Sequence, residues 1–81
     1  MKLVINEFGA YLSKKENRFV VKTKEKEEEY SADEVDQIII SSPSSISEGV
    51  VHLAMDKNID IVYTSFYGKP FARIYPCTLG G

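Results

Sequence analysis

Apolar residues follow two spacings along this chain, and the change from one to the other marks the elements. Val35-Asp36-Gln37-Ile38-Ile39-Ile40 ends in an unbroken apolar run, as a strand buried in mid-sheet does. Ile59-Asp60-Ile61-Val62-Tyr63-Thr64 is a second β-branched run of strand length. Between them the period lengthens to that of a helix. Ile46, Val50, Leu53 and Ala54 recur on one face, and Val51 and Met55 widen the stripe. The spacing predicts a helix from Ile46 to Lys57. Ser45-Ile46-Ser47-Glu48 fits a capping box, in which the Ser45 hydroxyl accepts from the Glu48 amide and the carboxylate reaches back. Asn58 suits a left-handed stop before the next strand. Such a strand-helix-strand unit leaves its two strands parallel.

The flanks read as hairpins. Lys2 to Asn6 is a predicted strand, Gly9 a turn residue, and Ala10 to Ser13 a short strand returning from the turn. After the polar turn Lys14 to Asn17, Arg18 to Lys24 alternates, with Phe19, Val21 and Thr23 on the inner face. Lys24 to Glu29 is a mixed-charge run, read as a solvated turn whose charges discourage edge pairing. Glu27 to Ser31 returns with Tyr30 inward, and Ser31 to Glu34 reads as a turn or one helical turn. Gly68-Lys69-Pro70 marks another turn before the strand Phe71 to Tyr75, which Pro76 ends. The expected fold is α+β and mostly β. About seven strands form antiparallel hairpins and sandwich-like sheets around one parallel crossover. Residues 1–76 form a single domain in this reading, and 77–81 begin a linker.

Charge and composition narrow the function. The 81 residues carry a formal charge of −2, which offers no basic excess for gripping a phosphate backbone at large. Cys77 is the only cysteine, so a disulfide within the chain is excluded and a reducing compartment fits. No apolar stretch approaches membrane-spanning length, so a soluble, cytoplasmic chain with no membrane contact is expected.

Candidate chemistry is sparse. His52 is the single histidine, four residues after Glu48 on the predicted helix, and lacks the partners of a metal site or catalytic triad. A small hydrolase would need His52, a hydroxyl and a carboxylate gathered in one pocket. Cys77 has no neighbouring cation to activate it, and Glu27-Glu28-Glu29 is a solvated run. The loop Ser41 to Ser45 enters a helix but lacks the glycines and lysine of a phosphate-binding loop, so it reads as a capping loop.

The ordered set of motifs resembles a known family. Phe8-Gly9, Ile38 to Ile40, Ile46-Ser47, the following Ile-x-Ile strand, Gly68, and Arg73 to Pro76 are similar in order and spacing to the N-terminal β-domain of CRISPR-associated protein one. That family is the metal-dependent DNA endonuclease and integrase that inserts new spacers into CRISPR arrays. The resemblance implies that the Glu, His and Asp ligands of the metal belong to a helical C-terminal domain which these residues do not include. No catalytic or metal-ligating residue is therefore carried over, no cofactor is expected in this portion, and Mg or Mn is implied for the missing one. It further implies a homodimer, with a pair of such dimers bridged by CRISPR-associated protein two, on duplex DNA. Phe71, Ile74 and Tyr75 are the dimer-interface candidates. Phe8 matches an aromatic that stacks on the end of bound duplex in some members, and Arg73 matches a position near DNA. For Phe8 the competing role is a staple beneath the first hairpin, and for Arg73 an ion pair on the strand. A free-standing homodimeric interaction module with no DNA role is the alternative.

Overall fold

The computed structural model describes residues 1–77. The predicted linker, apart from the exposed Cys77, lies outside the described residues. Eight strands and one α-helix form two four-stranded sheets. The strands are β1 (Lys2–Ile5), β2 (Tyr11–Lys15), β3 (Arg18–Lys22), β4 (Glu27–Ser31), β5 (Gln37–Ile40), β6 (Ser45–Ile46), β7 (Asp60–Thr64) and β8 (Pro70–Ile74). Helix α1 spans Glu48–Asp56, and Ala32–Glu34 form a single 3-10 turn.

The crossover is where the apolar pattern puts it. β5 and β7 pair in parallel from Gln37↔Asp60 to Ile40↔Tyr63. The first sheet runs β1-β5-β7-β8, so both central strands are the two β-branched runs. The second sheet runs β4-β3-β2-β6. One core lies between the sheets and under the helix. Ile38 and Ile61 meet Leu12, Phe19, Val50, Leu53 and Ala54 there, and the partly buried Tyr30 and Val21 pack on its margin. Asn58 adopts φ 57°, the left-handed stop the sequence indicates.

Three local expectations are corrected. β1 does not return on β2 as a hairpin. It pairs in parallel with β5, from Lys2↔Gln37 to Ile5↔Ile40, while β2 belongs to the other sheet. Gly9 at φ 78° turns the chain between the layers. The helix begins later than its apolar stripe, because Ser45 and Ile46 are taken by the second sheet. The Ser45 and Ser47 amides donate to the Ala10 and Leu12 carbonyls, both at 3.0 Å. Ser47, not Ser45, is therefore the cap, its hydroxyl accepting from the Val50 amide at 3.3 Å. Glu48 becomes the first helical residue and makes no capping box.

Asp33 joins three segments on the surface. It accepts from Asn17 Nδ2 at 3.0 Å and from Lys57 Nζ at 2.8 Å, tying the β2–β3 turn to the end of α1. The hydrogen bond and charge of Lys57 hold its carboxyl below the usual carboxylate range. The N-terminal ammonium, 2.8 Å away, does the same to Asp36. A lowered folded value means the unfolded chain takes up the proton first as pH falls. The stabilisation is thus complete at neutral pH, declines as pH drops through the ordinary carboxylate range, and is lost below the folded value. Asp33→Asn should lower the melting temperature at pH 7 and converge with the parent in strong acid, as thermal scans across pH will record. Parallel curves at every pH would remove this pair from the acid response.

Candidate functional site

The residues singled out from the sequence lie at both ends of the first sheet. Phe8 stands in the turn between β1 and β2 with 85 % of its surface exposed, so it staples nothing. The turn is held by its neighbour: the Gly9 amide donates to the Pro43 carbonyl at 2.7 Å, just past the end of β5. Arg73 lies toward the opposite end of the same strands. Its Nε donates to Asp60 Oδ2 at 3.1 Å, its Nη2 reaches the same oxygen, and its guanidinium sits 5.2 Å over the Tyr75 ring. Asp60 opens β7, whereas Pro43 follows the close of β5, so the fold does not bring Phe8 and Arg73 together. The Arg73 charge is already met by Asp60.

β8 carries the dimer candidates. It is an edge strand, antiparallel to β7, and its register slips at Tyr63/Thr64 so that Phe71 has no partner. A bulge residue of this kind re-aims its side chain. The Phe71 ring is 70 % exposed and 6.3 Å from that of Tyr63. Ile74 is half-buried against the core, and Tyr75 is exposed beyond it.

One feature was not read from the sequence. Where β5 and β7 end, loop residues Pro43 and Ser44 face Tyr63, Thr64, Phe66 and Phe71 across a cleft of about 400 Å³. The β7–β8 turn is shaped by Gly68 at φ 85° and by the Ser65 amide, which donates to the Lys69 carbonyl at 2.8 Å. That turn leaves Phe66 and Tyr67 87 % and 93 % exposed, edge to face at 5.5 Å. Burial raises the Tyr63 phenol above its ordinary value. The signal available in the sequence was four aromatics between Tyr63 and Phe71, of which only Phe71 had been weighed.

The single histidine stands in solvent. His52 is on the exposed side of α1, 4.0 Å from Glu48, and no hydroxyl joins them. The hydrolase reading ends there. No group of three His, Cys, Asp or Glu side chains converges among the described residues, so they do not fit a divalent metal.

The sequence model of the CRISPR associated protein Cas1 family matches residues 3–81. The chain belongs to the Cas1 family. It is 36 % identical over 74 residues to the CRISPR-associated endonuclease Cas1 2 of Saccharolobus solfataricus, covering 91 % of this chain and 24 % of that relative. Two solved Cas1 assemblies share the fold. The partial Cas6-RT-Cas1–Cas2 complex aligns with a TM-score of 0.85 at 11 % identity, over 96 % of this chain and 24 % of that one. TtCas1 in complex with DNA aligns with a TM-score of 0.80 at 9 % identity, over 93 % of this chain and 29 % of that one. The fold read from the residues, mostly β with a single crossover helix, is that of the Cas1 structures. The chain spans about a quarter of the length of the curated relatives it matches.

Proposed function

We propose that this Cas1 domain dimerises and positions DNA in CRISPR spacer acquisition, and that the metal and the strand-cutting chemistry reside in parts of the enzyme outside these residues. The observation that carries the proposal is the β8 edge. Sheet edges in soluble proteins are protected against pairing. Edge strand β4 carries Glu27, Glu28 and Glu29, and edge strand β6 is two residues long. Edge strand β1 begins beside the charged N-terminus and Lys2. β8 opens on Pro70 and carries a bulge at Phe71, but it offers no free charge: Arg73 is satisfied by Asp60, and Phe71 stands exposed on the strand.

An edge without a free charge, bearing an aromatic anchor, suits an isologous contact, in which the same strand of a second copy supplies both halves. A partner role for Cas2, and for duplex DNA, is supported by the assemblies in which the matching fold occurs. With a net charge of −2, the DNA contact rests on local stacking by Phe8 in preference to general attraction. Sedimentation equilibrium should show a concentration-dependent dimer. Fluorescence anisotropy with a forked duplex should show binding that Phe8→Ala weakens. A monomer at all concentrations, with Phe8→Ala neutral in DNA binding, would sink this reading.

A further inference from the structure

We propose that the cleft between the loop 41–44 and the β7–β8 turn seats one unstacked nucleobase. The proposal rests on the DNA-positioning role above and names the part of the DNA that this second site takes. The cleft opens outside the carboxyl ends of the parallel strands β5 and β7, the place where open parallel sheets hold ligands.

Its walls are Tyr63, Phe66 and Phe71, three rings around about 400 Å³, room for a flat heteroaromatic ring between faces. The chain has 12 carboxylate side chains, yet none lines this cleft to repel an approaching phosphate. Lys69 and Arg73 each lie two residues from Phe71 in the chain, and Arg73 is paired with Asp60.

The polar groups of the cleft divide into spent and unspent. Ser41 and Ser42 use their hydroxyls on the Ile5 and Asn6 carbonyls, at 3.4 and 2.8 Å. Ser44 Oγ and Thr64 Oγ1, on opposite sides of the cleft, are buried with no hydrogen-bond partner. A buried hydroxyl without a partner calls for an explanation, and a swing about χ1 presents either one to the edge of a base. A nucleobase supplies both needs at once, a π-face for the rings and a donor-acceptor edge for the hydroxyls. A protein contact fits less well, because serine is depleted from the cores of protein interfaces and this cleft is lined by three serines.

The cleft also adjoins the stacking candidate. The Gly9–Pro43 hydrogen bond fastens the Phe8 turn to the cleft wall. The two candidate DNA contacts, Phe8 and the cleft, are thus joined through the Gly9–Pro43 bond.

The test uses the 81-residue chain and three 2-aminopurine probes: a forked duplex with the analogue at the first unpaired position, a blunt duplex with it internal, and the free nucleoside. Stacking quenches this fluorophore. The forked probe should dim on binding while the blunt probe stays bright. Phe66→Ala should restore the brightness and raise the Kd about fivefold or more. Phe66 is largely in solvent, so the variant keeps its fold. Thr64→Val should weaken quenching in the same direction without the volume change.

Quenching of the free nucleoside to the same extent would assign the base to a soluble nucleotide source, still within the proposal. A forked probe that binds by anisotropy but stays bright, with Phe66→Ala neutral, overturns the cleft and leaves the DNA-positioning role standing. A chain that binds neither DNA nor nucleoside overturns both. Loss of self-association in Phe66→Ala with DNA binding untouched would make the cleft a protein contact and also overturns the proposal.

Discussion

Phe19→Ala should lower the stability of this domain by about 3–5 kcal/mol. Phe19 is the largest side chain wholly removed from solvent, and it lies on β3, between β2 and β4, facing the core beneath the first sheet. Its register neighbours are Lys14 and Tyr30, neither of which can collapse into the space a ring leaves. A buried Phe→Ala change costs about 3–5 kcal/mol, the lost transfer energy plus the cavity. A domain of this length has about 4–12 kcal/mol in total. One substitution therefore removes a large part of the stability. Urea unfolding followed by far-UV circular dichroism should move the midpoint down by roughly 2 M, given slopes of about 1–3 kcal/mol/M. Phe66→Ala, the same chemical change at an exposed site, should stay within about 0.5 kcal/mol of the parent. Equal shifts in the two variants would mean that the packing described around β3 is wrong.

Phe71→Lys should weaken the proposed dimer about thirtyfold and leave the fold intact. The ring is a large apolar side chain of β8 with 70 % of its surface exposed, and the bulge at Tyr63/Thr64 frees it from a strand partner. Lysine on an edge is the device by which sheets discourage pairing. Two copies related by a two-fold axis each carry the change, so one substitution inserts two like charges into the contact. An aromatic anchor at such a contact contributes about 2 kcal/mol or more, so the dimer Kd should rise by roughly thirtyfold. Sedimentation equilibrium of the two proteins measures this directly. Thermal unfolding at low concentration, where both are monomers, should be nearly unchanged. A dimer of unaltered strength would move the contact to another edge.

The central crossover was legible because its signals agree. Ile38 to Ile40 and Ile59 to Val62 are strand runs that a helical stripe separates, and Asn58 ends the helix as its side chain allows. Alternation reports which face a residue presents, not which strand lies beside it. That is why Lys2 to Asn6 showed as a strand while its parallel partner β5 did not show. Ser45 failed as a cap for a similar reason. Its own amide was already claimed by Ala10, a bond between distant segments that no local motif announces. The site was less legible than the fold. Phe8 and Phe71 showed as aromatic positions, whereas the cleft draws its lining from two loops and strand ends that the β5–β7 pairing brings together.

The order of strands has one more consequence. The chain begins in one sheet, spends β2 to β4 in the other, returns for β5, crosses again for β6 and comes back for β7 and β8. Neither layer is a continuous length of polypeptide, so the two are laced together as a shoe is. A cut in any loop that joins the layers should therefore weaken both sheets, while edge segments can still fray on their own.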